Sequence, residues 1–303
     1  MISNRVREFY QRADRISGNR LTILKDAVET FTVTRANQAA ASLAYYVIFS
    51  LFPLLLVLVS AGSYFLNTEE VYGKLASLVQ QSIPGSYSWI DENLRQILET
   101  RGAVGIIGLI TLVWAASGGF INLAYNINLA WLDAPRRNFF QGRLLALEMI
   151  AGISGLFVLS LILDWIIHLL PFLNIPVASF SDLYLWTWFS VIFSWLTMLL
   201  LFFALYYWVP NVNVKTKAAL WGALTASLAW KLATVLFSWY LRSGFGRYEM
   251  IYGSVGAIVA FLFLIYILAT VTLFGAHLTA ALDRKQKLKQ TAGAAASSED
   301  LKG

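Results

Sequence analysis

Residues 250–282 read MIYGSVGAIVAFLFLIYILATVTLFGAHLTAAL, 33 consecutive positions without an Asp, Glu, Lys or Arg. A bilayer core takes about 20 apolar residues as a helix, so this run spans it with tilt to spare. Three more charge-free runs cover 36–68, 102–132 and 183–214. Their length suits helices and excludes a membrane β-barrel, whose strands alternate polarity over segments of about 10 residues. Only 13% of the 303 residues are charged and 58% are hydrophobic, against about 25% charged in soluble domains. Too few charges remain to cover a soluble surface. The sequence therefore predicts an all-α membrane protein.

Two further segments are apolar but charged: 144–170, with Glu148 and Asp164, and 218–241, with Lys231. Including them gives six spans, at 39–66, 103–131, 144–170, 183–209, 218–241 and 250–282. With the N-terminus inside, the cytoplasmic segments hold 17 Lys/Arg and the outer loops hold five, Lys74, Arg95, Arg101, Arg242 and Arg247. That asymmetry sets orientation. A four-span count would put Lys215 and Lys217 outside. Trp131, Trp208 and Trp221 fall at the inner boundaries, and Trp165, Trp186, Trp188 and Trp239 near the outer ones, where indoles favour the interface. The expected organisation is a basic, amphipathic cytoplasmic segment 1–38, a membrane domain 39–282 and a disordered cytoplasmic tail 283–303, Ala/Ser-rich after Lys289. Apolar sequence begins only near Ala36, so no cleavable signal peptide is predicted.

Additional interfacial helices are expected. Leu21, Leu24, Val28 and Phe31 form a helical stripe, with Arg20, Lys25, Asp26 and Glu29 off it. The outer loop 67–102 carries two similar stripes, Val71, Leu75, Leu78 and Val79, then Ile90, Leu94, Ile97 and Leu98, parted by Pro84-Gly85. Ordinary packing against the bundle would produce the same pattern. Pro53 lies mid-span and predicts a kink, with Ser50 near enough to bond a freed backbone group. Gly118-Gly119, Gly152/Gly155, Gly253/Ala257 and Gly256/Ala260 suit close helix packing.

Several of these stretches are similar to one known family. Ala41–Pro53 (ASLAYYVIFSLFP), Gly105–Asn128, Tyr207-Trp208-Val209-Pro210-Asn211, Ile251-Tyr252-Gly253-Ser254 and Gly275-Ala276 resemble, in order, the signatures of the YihY/BrkB family of bacterial inner-membrane proteins. The resemblance covers roughly residues 20–283. It implies a six-span helical fold in the bacterial envelope and favours a transport or lipid-handling role; the charge asymmetry places both termini on the cytoplasmic side of the bacterial inner membrane. Family members have been linked to serum resistance and envelope-lipid export, and were once labelled ribonucleases. This chain carries His277 where members usually have Glu, so a role resting on that carboxylate does not carry over.

A charge in hydrocarbon costs about 2.5–3.5 kcal/mol on insertion scales, which makes each one a functional candidate. Asp164 lies about 9 Å and Lys231 about 15 Å below the outer ends of their spans at about 1.5 Å per residue. They are candidates for an outer-half cavity taking a polar headgroup, or for a structural ion pair. Glu148, His277, Asn122, Asn126 and Asn128 approach the inner face. They read either as a polar entrance, with His277 titrating near neutral pH, or as interhelical hydrogen bonding. Asn122 and Asn126 share a helix face.

Enzyme chemistry finds little footing. His168 and His277 fall at opposite faces, cysteine is absent, and no carboxylate cluster is spaced for metal ions. No P-loop is present. The net charge of +6 follows from the basic loops and predicts no nucleic-acid binding. The expectation is a protein without cofactor or metal whose partners are membrane lipids and envelope proteins. It transports or handles a lipid or amphiphile; the alternatives are a scaffold for envelope proteins and a secondary transporter of a small solute.

Overall fold

The computed structural model describes residues 20–65, 101–169, 184–243 and 254–300. They form seven helices: α1 (Arg20–Val33), α2 (Ala36–Phe65), α3 (Arg101–Leu129), α4 (Phe139–Leu169), α5 (Tyr184–Trp208), α6 (Thr216–Arg242) and α7 (Ser254–Asp300). Three segments, Ile106–Leu129 in α3, Thr216–Leu241 in α6 and Ile258–Leu288 in α7, are long and apolar enough to cross a membrane, and Ser194–Trp208 is a shorter apolar stretch. This is an all-helical membrane protein. The outer-loop stripes between 67 and 100 lie outside the described residues, as do Gly253 and the side chains of Gly256 and Ala257.

Local chemistry explains the helix ends. At the start of α4, Asn138 Oδ1 accepts the Gln141 N–H at 2.9 Å, and Gln141 Oε1 accepts the Asn138 N–H at 3.2 Å. This reciprocal capping box starts the helix at Phe139, five residues before the predicted span. Between α1 and α2, Arg35 adopts φ 55°, a left-handed conformation that costs a side-chain-bearing residue about 1–2 kcal/mol. Its carbonyl then accepts the N–H groups of Gln38 and Ala39, opening α2. Pro53 sits inside α2 with its ring buried. The carbonyl it leaves without a helical donor is that of Phe49, but the Ser50 hydroxyl goes to Val47 instead, at 2.8 Å.

The helices divide into two compact units. The first combines Met1–Ala40, Leu123–Ala233 and Leu268–Gly303. Its tightest seam runs between α6 and α7. Ala218, Ala219, Gly222, Ala223 and Ala226 form a buried small-residue ridge facing Gly275, Ala276, Thr279 and Ala280. A Cβ at Gly222 would enter the Thr279 side chain and come within 3.4 Å of the Gly275 carbonyl; one at Gly275 would meet the Tyr206 hydroxyl and lie 2.9 Å from Ala226 Cβ. Tyr206 is fully buried, and its hydroxyl donates to the Thr272 carbonyl at 2.8 Å. Backbones approach this closely only where side chains are missing.

The second unit comprises Ala41–Asn122 and Thr234–Ile267. There Gly118 and Gly119 accommodate the Tyr46 side chain, with 3.0 and 3.3 Å available to an added Cβ. These two glycines pack as the sequence predicts. Phe237 meets Phe263 at 6.3 Å between ring centroids.

Two expectations are corrected. Residues 283–300 are helical, as the continuation of α7, rather than a disordered tail. Asp283 and Arg284 are held by partners on other elements, and the Ala-rich segment beyond has high helix propensity. Trp131 is buried within the protein, whereas Trp208, Trp221 and Trp239 are exposed. Among the described residues nothing lies within 4 Å of a Cβ at Gly152 or Gly155, so these two glycines do not mark a close crossing there.

Candidate functional site

Two hydrogen-bonded polar clusters in the first unit draw on the C-terminal half of α7, and of the sequence-predicted candidates His277 lies in one of them. His277 is fully buried. Its Nδ1 lies 3.3 Å from Thr30 Oγ1 and its Nε2 3.3 Å from Thr34 Oγ1. Phe31 presents an edge to the imidazole at 5.5 Å and to Phe274 at 5.8 Å. Both threonine hydroxyls donate along α1, Thr30 to the Asp26 carbonyl and Thr34 to the Thr30 carbonyl, each at 2.8 Å. A hydroxyl has one proton and a neutral imidazole one N–H. One threonine must therefore release its carbonyl to donate to the ring whenever His277 is neutral.

Two α1 faces emerge where one stripe is predicted. Ala27, Thr30 and Phe31 turn toward the protein, and Leu24 and Val28 are exposed. One end of this contact is closed by Arg284, which donates to Asp26 Oδ2 at 2.8 Å. The pair is partly exposed, and such pairs contribute at most about 1 kcal/mol.

Asp283, which the sequence reading passes over, is the hub of a second cluster. It is fully buried. Its Oδ1 accepts the Lys215 backbone N–H at 2.8 Å, and its Oδ2 accepts Trp131 Nε1 at 3.2 Å and faces Lys287 Nζ at 2.8 Å. The carboxylate thus stands at the N-terminus of α6, where the helix dipole favours negative charge. Nearby, Asn128 is buried; its Oδ1 accepts the Asn211 N–H at 2.7 Å, and its Nδ2 donates to the Pro135 carbonyl at 3.2 Å. Asn211 Nδ2 donates to that same carbonyl at 3.1 Å. The α3–α4 connection, the α5–α6 connection and α7 are therefore bonded together at one end of this unit.

The remaining candidates are placed differently. Glu148 and Asn126 are half-buried. Burial lowers the Arg137 pKa, and the Glu148 charge opposes that shift. Asn122 belongs to the second unit, where its Nδ2 donates to Ser42 Oγ at 2.9 Å. Lys231 is exposed on α6, between exposed Leu228 and Leu232. Asp164 lies in α4, but its side chain, like that of His168, falls outside the described residues. Asp283 carried one signal the sequence reading did not use: it is the first charge after a 33-residue apolar run. Among the described residues, no three His, Cys, Asp or Glu side chains converge to hold a metal ion.

Apolar helices long enough for a bilayer, joined at one end of the first unit by hydrogen-bonded polar side chains, define an all-helical membrane protein. Residues 27–300 match the family model described as virulence factor BrkB, and the chain belongs to that family. It is 28% identical over 273 residues to a putative ribonuclease-like protein, YfkH, of Bacillus subtilis, covering 88% of this chain and 98% of that one. It is 27% identical to a UPF0761 membrane protein of Haemophilus influenzae, covering 84% of this chain and 92% of the relative. A UPF0761 membrane protein of Vibrio campbellii is 26% identical, with 93% and 89% covered. No solved structure matches.

Proposed function

We propose that this protein crosses the bacterial cytoplasmic membrane six times, with both termini in the cytoplasm, and moves or handles a lipid or amphiphile whose headgroup follows a polar path while its tails stay in the bilayer. The observation that carries this reading is Lys231. It is a cation in a membrane-length apolar helix, exposed at the protein surface among Leu228, Leu232 and Val235. A charge at such a position is a functional candidate, and its exposed side lets a headgroup entering sideways from the bilayer add a counter-charge to whatever the protein supplies. Asp164 is the proposed partner along the path, and Glu148 and Asn126 are candidates nearer the inner end.

The saturation of His277, Asn128 and Asp283 supports a second reading, a non-transporting scaffold that holds envelope proteins, because those groups are committed to interhelical bonds. Mass spectrometry of lipids that co-purify in mild detergent, with wild type and an Asp164→Asn/Lys231→Met variant side by side, separates the two. Enrichment of one lipid class that is lost in the variant is expected for lipid handling. Bulk-membrane composition in both samples rejects it in favour of the scaffold.

A further inference from the structure

The elbow between α3 and α4 exposes more aromatic surface than its fold requires. Phe139 is 72% and Phe140 81% exposed, and their rings meet edge to face at 5.6 Å. The capping box of Asn138 and Gln141 fixes where α4 begins, and so fixes both rings at its first two positions. Leu132, on the other side of the elbow, is 63% exposed. From Phe140 the exposed apolar surface continues along α4 through Leu144 and Leu147, at spacings of four and three residues that keep one helix face.

Charge in the same elbow is one-sided. Arg136, Arg137 and Arg143 face a single acid, Asp133, between residues 132 and 144. The arginines differ in their surroundings. Arg137 is half-buried and feels the Glu148 carboxylate, whereas Arg136 is exposed beside the phenylalanines. Arg137 is thus drawn into the fold, and Arg136 stays at the surface.

We propose that this elbow is a docking surface for anionic phospholipid, with Arg136 on the phosphate headgroup, Phe139 and Phe140 at the headgroup–acyl boundary, and the tail along Phe140, Leu144 and Leu147. Aromatic rings prefer that boundary, arginine is suited to phosphate, and an apolar helix face continues where the acyl chain must lie. With α4 crossing the membrane, as the six-span reading above has it, a protein partner would need to follow the same stripe down into the bilayer, which a lipid does without folding. This surface stands apart from the Lys231 path and does not depend on it.

The chain has no cysteine, so Phe140→Cys provides one labelling site on the exposed surface itself, at the cost of the ring contact with Phe139 alone. The full-length protein, labelled there with bimane, is reconstituted in phosphatidylcholine vesicles and in phosphatidylcholine containing phosphatidylglycerol. Brominated forms of each lipid then serve as quenchers. Brominated phosphatidylglycerol should compete for the site about fivefold better than brominated phosphatidylcholine, the effect of one arginine at an anionic surface. Arg136→Gln should bring that ratio close to one while quenching by lipid persists. Equal quenching by both lipids in the protein with Arg136 intact would overturn the anionic selectivity. Quenching by aqueous iodide but by neither lipid would overturn the lipid surface altogether and assign the elbow to solvent or a protein partner.

Discussion

The carboxylate of Asp283 receives the backbone N–H of Lys215 at 2.8 Å, so a side chain near the end of the apolar part of α7 caps the start of α6. The same carboxylate takes the Trp131 indole N–H and the Lys287 ammonium. Three elements distant in sequence meet on one fully buried acid.

Removing that acid should be severe. Asp283→Ala leaves the Lys215 and Trp131 N–H groups without their acceptor, at about 1–3 kcal/mol for each buried donor, while the half-exposed Lys287 turns to solvent. Asp283→Asn retains an acceptor for one N–H and should lose less. Thermal unfolding in detergent, followed by tryptophan fluorescence, should rank the variants wild type, Asn, Ala. An Ala variant as stable as wild type would show that the knot adds nothing to the fold.

The α6–α7 seam makes a sharper demand. Gly275→Ala places a methyl against the Tyr206 hydroxyl and Ala226, and overpacking of this kind costs about 1–3 kcal/mol. Tyr206→Phe removes the obstructing oxygen and also its bond to the Thr272 carbonyl. The double variant should therefore be more stable than the sum of the two single losses predicts. Strict additivity in a double-mutant cycle would mean that Ala226 and the Tyr206 ring carbon, each 2.9 Å from the added methyl, set the limit and the hydroxyl does not.

Lys231 should behave in the opposite way. It is exposed, so Lys231→Met should leave unfolding within about 0.5 kcal/mol of wild type, while lipid enrichment on purification falls. Loss of the folded protein in this variant would recast Lys231 as a structural ion-pair member and remove the main support for a headgroup path.

Helix type and placement were legible in the sequence because four runs of more than 30 residues lack charge, and few physical states other than a membrane helix tolerate that. The tight seam was harder to read. Gly222 in α6 and Gly275 in α7 look no better suited than Gly152 and Gly155 in α4, and only the approach of Tyr206 and Thr279 distinguishes them. The inner polar residues were found but their state was not: His277 and Asn128 read as an entrance or as hydrogen bonding, and both prove saturated by partners up to 247 residues away. Asp283 was missed because a charge just past an apolar run looks solvated, and its burial depends on Trp131 and Lys215 arriving from elsewhere.

The contact between α1 and α7 can be opened at will. Two hydrogen-bond contacts join His277 to Thr30 and Thr34, and each contributes about 1 kcal/mol. Thr30→Val/Thr34→Val keeps the volume of the helix face but leaves both imidazole nitrogens without a hydroxyl. Arg35, exposed and held at φ 55°, is the junction that trypsin would cut once α1 lifts away. Cleavage after Arg35 should rise about thirtyfold in the double variant, in step with the lost contacts, while Asp26→Asn, which weakens a partly exposed pair, should change it far less. If cleavage is equally slow in all three proteins, α1 is retained by Phe31 against Phe274 and not by the histidine.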